Sequence, residues 1–308
     1  MESIRLFCPA TVANISCGFD VLGLCLDTIG DEMTITKTAQ KGIQITRITG
    51  ADLPLDVTQN VAGIAAQAFL EQLGTDQGFA IEIHKKIKAG SGIGSSAASA
   101  AGAVFGLNAL CGNPFTNKEL ISFAMKGEAL ASGCEHADNV APALLGGFTL
   151  IRGYEPLDVI ALPVPSELYV TVIHPQIALK TAEMRAVLAP EIPLKNAIAQ
   201  WGNLGGFIAG LYTEDYNLMQ RSLSDKIVEP VRSPFIPGFD KIKETALQNG
   251  ALGAGISGSG PSIFTLNKGI KTAKKVAFAI AENYTETGIP FEVYTSPINK
   301  SGVRIINR

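Results

Sequence analysis

The chain has 308 residues, of which 46% are hydrophobic and 17% charged, so its length favours two domains or one large one and its composition excludes a disordered chain. The formal net charge is −3, and charges of both signs are mixed along the sequence. The sequence lacks the long basic run that would indicate a nucleic-acid partner. Its two densest basic stretches, residues 85–88 and 271–275, are interpreted as a solvated strand end and a solvated helix face.

Several segments alternate apolar with polar residues, and this period of two predicts β-strands. In chain order the predicted strands lie at residues 4–8, 33–36, 43–45, 79–83, 148–152, 168–173, 262–266 and 291–295. Helices are predicted between them, at residues 60–73, 96–110, 118–132, 197–211, 241–248 and 271–283. Because the early strands are grouped and helices do not alternate strictly with strands, the pattern predicts an α+β fold rather than a doubly wound sheet.

A proline-rich passage interrupts these elements near the middle of the chain. Its prolines are Pro156, Pro163 and Pro165, and they make this passage the best candidate for a linker. We therefore place a domain boundary near Pro165, which divides the chain into residues 1–165 and 166–308.

A loop rich in glycine and serine follows the predicted strand at 79–83 and precedes the helix at 96–110. Its sequence is Lys88-Ala-Gly-Ser-Gly-Ile-Gly-Ser-Ser-Ala-Ala98. Three glycines in five positions let the backbone adopt positive φ and bring N–H groups close to a ligand. We expect Ser95 or Ser96 to cap the helix, whose N-terminus adds free N–H donors and partial positive charge. The loop is therefore predicted to bind a polyphosphate.

Other nucleotide sites fit this loop less well. The chain contains no Gly-Lys dipeptide, which excludes a Walker A motif, and it lacks the motifs of protein kinases. Gly92-x-Gly94-x-x-Ala97 formally matches a dinucleotide-binding fingerprint. That fingerprint requires an acidic residue at the end of a second strand about 20 positions later, but a loop is predicted there. An NAD(P)-dependent oxidoreductase stays the runner-up, and an ordinary tight turn before a buried helix is the plainest alternative.

Residues 89–117 carry no charge, but their compact apolar part, residues 97–110, is too short to cross a bilayer, so no membrane segment is predicted. The N-terminus does not resemble a signal peptide. The five cysteines are an odd number without a Cys-x-x-Cys pair, which predicts neither disulfides nor a zinc ribbon. We therefore expect a protein of the reducing cytoplasm.

Three segments carry a family resemblance. They are Pro9-Ala-Thr-Val-Ala-Asn-Ile-Ser-Cys-Gly-Phe-Asp-Val-Leu-Gly23, the loop at 88–98, and Gly255-Ile-Ser-Gly-Ser-Gly-Pro-Ser262. Together they resemble the GHMP-type small-molecule kinases, the superfamily of galactokinase, homoserine kinase, mevalonate kinase and phosphomevalonate kinase. The first segment, residues 128–142 and Glu229-Pro-Val-Arg232 resemble the homoserine kinase branch in particular, and the similarity spans essentially the whole chain. In the loop, Ala89 and Ile93 stand where many members have Ile or Val and Leu.

The resemblance implies a two-domain α+β fold with the substrates between the domains. The N-terminal domain would resemble part of ribosomal protein S5, and the C-terminal domain would be ferredoxin-like. The implied reaction transfers a phosphoryl group from ATP to L-homoserine, giving O-phospho-L-homoserine on the route to threonine. Another GHMP kinase activity and a non-catalytic GHMP-fold regulator stay as alternatives, and a homodimer is one option for an oligomeric state that the sequence leaves open.

Glu128 is a candidate site residue independently of the resemblance, because a helix at 118–132 would place its carboxylate on the apolar face. Such a carboxylate needs a partner, and a buried salt bridge is as good an explanation as a metal. The resemblance implies that Glu128 and the Ser96 hydroxyl bind Mg²⁺, which bridges the β- and γ-phosphates. It further implies that the nucleotide contacts Asn60, near the adenine, and Lys88, Ala89, Gly90, Ser91, Gly92, Ile93, Gly94, Ser95, Ser96, Ala97 and Ala98.

An amino-acid substrate requires an anion for its ammonium and a cation for its carboxylate. By resemblance, Asp20 receives the ammonium and Arg185 and Arg232 hold the carboxylate, for which a guanidinium fork is well suited. The other implied substrate contacts are Asn14, His136, Asn139, Ser257 and Gly258. Homoserine kinases have an asparagine where some relatives have an aspartate base, here Asn139. We favour direct attack by the substrate hydroxyl, oriented by Asn139, with the adjacent Asp138 as the alternative base.

Overall fold

The structure is a computed structural model that describes residues 2–307, and of Ser132 and Asn307 it describes the backbone alone. A first sheet has seven strands, paired in the order β11-β1-β2-β4-β3, with β5 joined to β2 and β6 joined to β5. Its strands are β1 (Ser3–Ala13), β2 (Leu22–Thr38), β3 (Ile43–Thr49), β4 (Gly78–His84), β5 (Phe148–Tyr154), β6 (Leu157–Leu162) and β11 (Arg304–Asn307). Strands β3 and β4 are parallel, and the other pairs are antiparallel.

Three helices pack against this sheet: α1 (Val61–Leu73), α2 (Ser95–Leu110) and α4 (Val140–Leu145). A fourth, α3 (Asn117–Ser132), packs on these three helices. The middle one, α2, is almost entirely buried because its sequence is rich in alanine and glycine. At Gly102 an added Cβ would lie 2.3 Å from the Cys8 sulfur of β1, so only glycine permits this close approach of helix and strand.

The second sheet has four antiparallel strands in the order β10-β7-β9-β8. They are β7 (Leu168–Pro175), β8 (Gly253–Ile256), β9 (Ile263–Lys268) and β10 (Phe291–Pro297). In order of the chain this arrangement reads 4-1-3-2, with α9 (Phe239–Gln248) before β8 and α10 (Ile270–Tyr284) before β10. This is the topology of a ferredoxin-like fold. Four further helices lie between β7 and α9: α5 (Thr181–Ala186), α6 (Leu194–Thr213), α7 (Tyr216–Ser222) and α8 (Glu229–Arg232).

The two sheets share one hydrophobic core. Its largest cluster joins Leu6 and Phe148 of the first sheet to Val172 and Phe264 of the second, while a smaller cluster lies under α9 and α10. The predicted α+β fold is confirmed. The boundary at Pro165 stays a prediction, and the last strand, β11, returns to the first sheet. Within residues 2–307 no helix is long and apolar enough to cross a membrane.

Two sequence interpretations are wrong. The residue at the N-cap of α2 is Gly94 with φ 69°, and neither Ser95 nor Ser96 caps the helix. Lys85 is not at a solvated strand end, because its side chain is 2% exposed and ion-paired with buried Asp31.

Candidate active site

A cleft of about 460 Å³ brings the predicted residues together from both halves of the chain. Its size is within the range of about 300 to 1,000 Å³ that is typical of small-molecule sites. Residues of the Gly/Ser loop, Glu128 of α3 and Arg185 of α5 all line it. The second glycine-rich turn contributes Gly258.

The Gly/Ser loop has the backbone that its sequence predicts. Gly90, Gly92 and Gly94 all have positive φ, at 72°, 79° and 69°. The loop also interlocks with the second glycine-rich turn, because the Ser257 hydroxyl donates a 2.7 Å hydrogen bond to the Gly92 carbonyl. A Cβ at Gly92 would lie 2.6 Å from the Gly260 carbonyl oxygen. The loop therefore joins the two halves of the chain as well as opening the N-terminus of α2 to the cleft.

A buried ion pair supports the loop from below. The Lys85 ammonium pairs with Asp31 and donates to the Ser95 carbonyl at 2.8 Å and to the Ser99 hydroxyl at 3.0 Å. Asp31 in turn accepts from the backbone N–H groups of Lys86 and Ile87, at 2.7 and 2.9 Å. These bonds tie the chain before the loop to the first turn of α2, so they fix where the helix begins.

Glu128 and Ser96 form the acidic part of the cleft. Glu128 is buried, and burial raises the pKa of its carboxyl group to about 7, while a hydrogen bond from Ser96 and the charge of Lys85 act in the opposite direction. A carboxylate and a hydroxyl are hard oxygen donors suited to Mg²⁺, which keeps several ligands from water and phosphate. Within residues 2–307 no group of three His, Cys, Asp or Glu side chains that could hold a metal ion is present.

Asp20 and Arg185 form an ion pair in the lining of the cleft. One guanidinium nitrogen of Arg185 donates to both carboxylate oxygens of Asp20, at 2.7 and 2.9 Å. The aromatic ring of Phe19 has Arg185 at 5.4 Å and Arg232 at 5.2 Å from its centroid, within range of cation–π attraction. Sequence reasoning missed Phe19, although it precedes Asp20 in the segment that carries the resemblance.

Arg232 is fixed by the backbone. Its Nε donates to the Met184 carbonyl at 2.9 Å, and one terminal nitrogen donates to the Gly258 carbonyl at 3.2 Å. Burial and the nearby charge of Arg185 lower its pKa. Asp20 is ion-paired with Arg185, and the carboxyl groups of Asp20, Asp225 and Asp138 all act on Arg232. The planar guanidinium groups of the two arginines suit a carboxylate ligand.

Asn14 begins a left-handed turn, since Asn14, Ile15 and Ser16 have φ of 73°, 44° and 56°. This conformation is unfavourable for residues other than glycine, most of all for a β-branched one, and such strain concentrates at functional sites. The Asn14 side chain links both halves of the chain, accepting from the Asp20 N–H at 3.0 Å and donating to the Gly258 carbonyl at 2.8 Å.

The predicted catalytic asparagine is held in place by a neighbour that the sequence did not suggest. The buried Thr11 hydroxyl donates to Asn139 Oδ1 at 2.7 Å, and it lies so close to Gly94 that a Cβ there would be 2.0 Å away. Beside it, burial raises the pKa of Asp138 to about 7. His136 is partly buried, and burial lowers its pKa.

The structure brings most predicted residues to the cleft and leaves some outside its lining. Asn60 lines it and also caps α1, accepting from the Ala62 N–H at 3.0 Å. The residues that do not line it are Lys88, Ile93, Ala97, Ala98 and Ser257. Lys88 instead bonds the Gln176 side chain. The roles of all these residues stay predictions.

The sequence contains a signal that the side chain of Lys85, a residue of the cleft, is buried. Lys85 continues the inward positions Phe79, Ile81 and Ile83 of β4 with the same period of two, and that period predicts a buried side chain. Asp31 and Thr11 gave no such signal, because their partners lie far away in the chain.

Two family models match the chain, GHMP kinases N terminal domain over residues 60–147 and GHMP kinases C terminal over residues 207–286. The homoserine kinase of Chlorobium phaeobacteroides is 44% identical, over 99% of this chain and 100% of that protein. The homoserine kinase of Chlorobaculum tepidum is 43% identical, over 100% and 99%. The crystal structure of homoserine kinase from Cytophaga hutchinsonii superposes with a TM-score of 0.96 at 50% identity, covering 99% of this chain and 98% of that one. A mevalonate kinase superposes with a TM-score of 0.71 at 15% identity, which shows a shared fold alone.

Proposed function

The chain belongs to the homoserine kinases of the GHMP kinase family, and from this premise we propose that its cleft transfers the γ-phosphoryl group of ATP to the hydroxyl of L-homoserine. The products are O-phospho-L-homoserine and ADP, on the route to threonine. The dinucleotide-dependent alternative loses its support, because both family models and the solved relatives are those of GHMP kinases.

One observation carries the proposal: a single cleft holds a phosphate-binding loop near a cluster of opposite charges. The loop suits a polyphosphate, and Asp20, Arg185 and Arg232 suit the two charges of an amino acid. Among residues 2–307, Arg185 Nε and His136 Nε2 are buried polar atoms without a hydrogen-bond partner. Leaving such atoms unsatisfied is unfavourable, so they favour a polar ligand at this end.

The two charges of the substrate can replace the ion pair that Asp20 and Arg185 form with each other. Asp20 and Arg185 neutralise each other when no ligand is present. A bound amino acid would offer its ammonium to Asp20 and its carboxylate to Arg185 and Arg232, so that each side chain keeps a partner. A ligand with only one charge would leave one partner unsatisfied, which favours zwitterions. Asn14, His136 and Gly258 complete this end, and the Ser257 hydroxyl bond to Gly92 couples it to the loop.

At the nucleotide end, Gly90, Ser91 and Gly92 would surround the phosphates with backbone N–H groups, and Asn60 would lie near the adenine. Ser96 and Glu128 would hold Mg²⁺, which supplies positive charge to the phosphoryl group when it is bound. Phosphoryl transfer has a loose transition state, so positioning and charge neutralisation provide most of the catalysis.

In the favoured mechanism no side chain acts as a strong base, and the proton of the attacking hydroxyl passes to an oxygen of the transferred phosphoryl group. Thr11 fixes Asn139 Oδ1 by a hydrogen bond, and Asn139 would orient the substrate hydroxyl toward the γ-phosphate. Asp138 is the competing candidate, because its pKa near 7 is suited to a general base at neutral pH. Asp138→Asn separates the two ideas: kcat changes little if Asn139 alone orients the hydroxyl, and it falls by about 10²-fold or more if Asp138 is the base.

The thiols of Cys8, Cys17, Cys25 and Cys111 are free, which supports the cytoplasm as the compartment of the reaction. The test of the proposed function is a coupled ADP-release assay with homoserine, mevalonate, galactose and shikimate as acceptors. We expect turnover with homoserine far above the other three. Equal turnover with a neutral acceptor such as galactose would contradict the assignment of the charged end.

A further inference from the structure

A small cavity shares Asn14 and Gly258 with the active-site cleft. Its volume is about 10 Å³, and Ser16, Asp225 and Glu229 also line it. A buried water needs about 10 to 15 Å³ of such volume together with two to four polar partners. The cavity is therefore of a size for one water molecule and too small for an organic ligand.

Two oxygen atoms of the residues around this cavity have no hydrogen-bond partner within residues 2–307. They are Ser16 Oγ and Glu229 Oε2, and both are buried. Ser16 as a whole is 3% exposed. The other carboxylate oxygen of Glu229 is paired with Lys243. Leaving a buried hydroxyl and a buried carboxylate oxygen unsatisfied is unfavourable, so both atoms favour a further polar partner.

Gly255 shows how close these two oxygens are. A Cβ added at Gly255 would meet Ser16 Oγ first and would lie 3.3 Å from Glu229 Oε2. Both oxygens therefore surround one point, within reach of a single water at hydrogen-bond lengths of about 2.8 Å. The Asp225 carboxylate accepts from the backbone N–H groups of residues 227, 228 and 229, which leaves it about one further acceptor position.

We propose that one water molecule in this cavity bridges Ser16 Oγ and Glu229 Oε2, and that these two side chains are positioning residues for the amino-acid substrate. The water accepts from the Ser16 hydroxyl and donates to the carboxylates of Glu229 and Asp225. These are the three hydrogen bonds that a buried water typically makes. The positioning role rests on the proposed function, because its substrate is the one proposed there.

The bridge connects the two parts of the site that recognise opposite charges. Ser16 belongs to the left-handed turn that begins at Asn14, whose side chain accepts from the Asp20 N–H. Glu229 is the first residue of α8, and Arg232 is its last. None of residues 88–98 lines the cavity. We therefore expect the bridge to affect the binding of homoserine and to leave the binding of ATP unchanged.

Steady-state kinetics and calorimetric titration of the full chain test the positioning role. Ser16→Ala removes the hydroxyl that donates to the water, so KM for homoserine should rise about tenfold, the scale of one lost hydrogen bond. The values of kcat and of the ATP dissociation constant should stay the same. Thr149→Val is the matched control, because it removes another buried hydroxyl without a partner in residues 2–307, on β5 and outside the cleft lining. It should leave KM unchanged.

Gly255→Ala tests the bridge without removing any polar group. Its methyl group would occupy the position between the two oxygens, so KM for homoserine should rise as it does in Ser16→Ala. The double variant Ser16→Ala/Gly255→Ala should be no worse than Gly255→Ala alone, because both changes remove the same bridge. Additive increases in KM would overturn the proposal.

A crystal structure of the chain tests the water itself, independently of turnover. We expect density for one water between Ser16 Oγ and Glu229 Oε2 in the wild type. No density there would overturn the bridge, and so would a peak at about 2.3 to 2.6 Å from the oxygens, the distances of bound Ca²⁺. A wild type that does not phosphorylate homoserine would contradict the proposed function. Wild-type turnover with equal KM in Ser16→Ala and Thr149→Val would overturn the positioning role alone.

Discussion

At the scale of single residues, the cleft holds two carboxyl groups that the fold desolvates. Burial raises the pKa of both Glu128 and Asp138 to about 7, well above the ordinary values of 4.5 and 3.8. Between those ordinary values and 7, the folded state binds more protons than the unfolded chain. Stability therefore falls as pH rises through this window and stays lower above pH 7.

The pH dependence of unfolding tests these two groups. Without Mg²⁺ or nucleotide, the free energy of unfolding should contain a component that decreases from about pH 4 to about pH 7. In Glu128→Gln/Asp138→Asn that component should be absent, because neither side chain can ionise. The comparison requires urea unfolding curves at a series of pH values, and parallel pH profiles for the two proteins would contradict the assigned pKa shifts.

Glu128 also carries the proposed metal. Glu128→Gln should lower kcat by about 10²-fold or more, the scale of losing one electrostatic stabiliser. Steady-state kinetics at saturating Mg²⁺ and ATP measure this, with Glu119→Gln on the exposed start of the same helix as the control. Near-normal kcat in Glu128→Gln would refute the metal-binding role.

The side chain of Lys85 is predicted to contribute far more to the free energy of unfolding than the side chain of Lys86. Lys85→Met leaves Asp31 buried without its cation, and breaking a buried pair in this way costs about 3 to 5 kcal/mol. Lys86→Met is the control, because the Lys86 pair with Glu32 lies at the surface and contributes only about 0 to 1 kcal/mol. Urea unfolding of both variants decides the matter, and equal losses would show that the Lys85 pair is not effectively buried.

At the scale of elements, the Gly/Ser loop and the second glycine-rich turn act as one unit. Ser257 and Ser262 donate to the carbonyls of Gly92 and Ser91, at 2.7 and 2.6 Å. The loop sequence predicted the positive φ of the glycines and the start of a helix behind them. It did not predict the contact between the two turns, because they are more than 160 residues apart in the chain.

A pair of alanine substitutions isolates this contact. Gly90 and Gly92 have similar positive φ, at 72° and 79°, so alanine strains both backbones alike. A Cβ at Gly90 would meet nothing nearer than 3.9 Å, whereas one at Gly92 would lie 2.6 Å from the Gly260 carbonyl. Gly92→Ala should therefore weaken ATP binding at least about tenfold more than Gly90→Ala, because displacing the turn distorts the cradle. Calorimetric titration measures both, and equal losses would show that the turn does not support the loop.

At the scale of the whole molecule, short sequence patterns predicted the features that depend on residues near each other in the chain. Alternation placed β1 and β4, glycine spacing placed the loop, and the period of α3 placed Glu128 on a buried face. The Lys85–Asp31 pair, the Thr11 bond to Asn139 and the return of β11 to the first sheet were not predictable. Each depends on residues distant in sequence that only the packed fold brings together.

The central claim is that the cleft phosphorylates an amino acid by recognising both of its charges. If Asp20 takes the ammonium while Arg185 and Arg232 take the carboxylate, each lost charge leaves a charged side chain of the cleft without its partner and costs about 2 to 5 kcal/mol. The corresponding loss in kcat/KM is roughly 30-fold or more for each group removed. Asp20→Asn should narrow the gap between homoserine and a substrate without the amino group, because asparagine does not require a cation.

The most direct measurement is kcat/KM for homoserine, 4-hydroxybutyrate and 3-aminopropanol with the wild type and Asp20→Asn. The wild type should prefer homoserine by about 30-fold or more over each of the other two, and Asp20→Asn should reduce its preference over 4-hydroxybutyrate. A wild type that accepts 4-hydroxybutyrate as well as it accepts homoserine would contradict the assignment of Asp20 and the recognition of both charges.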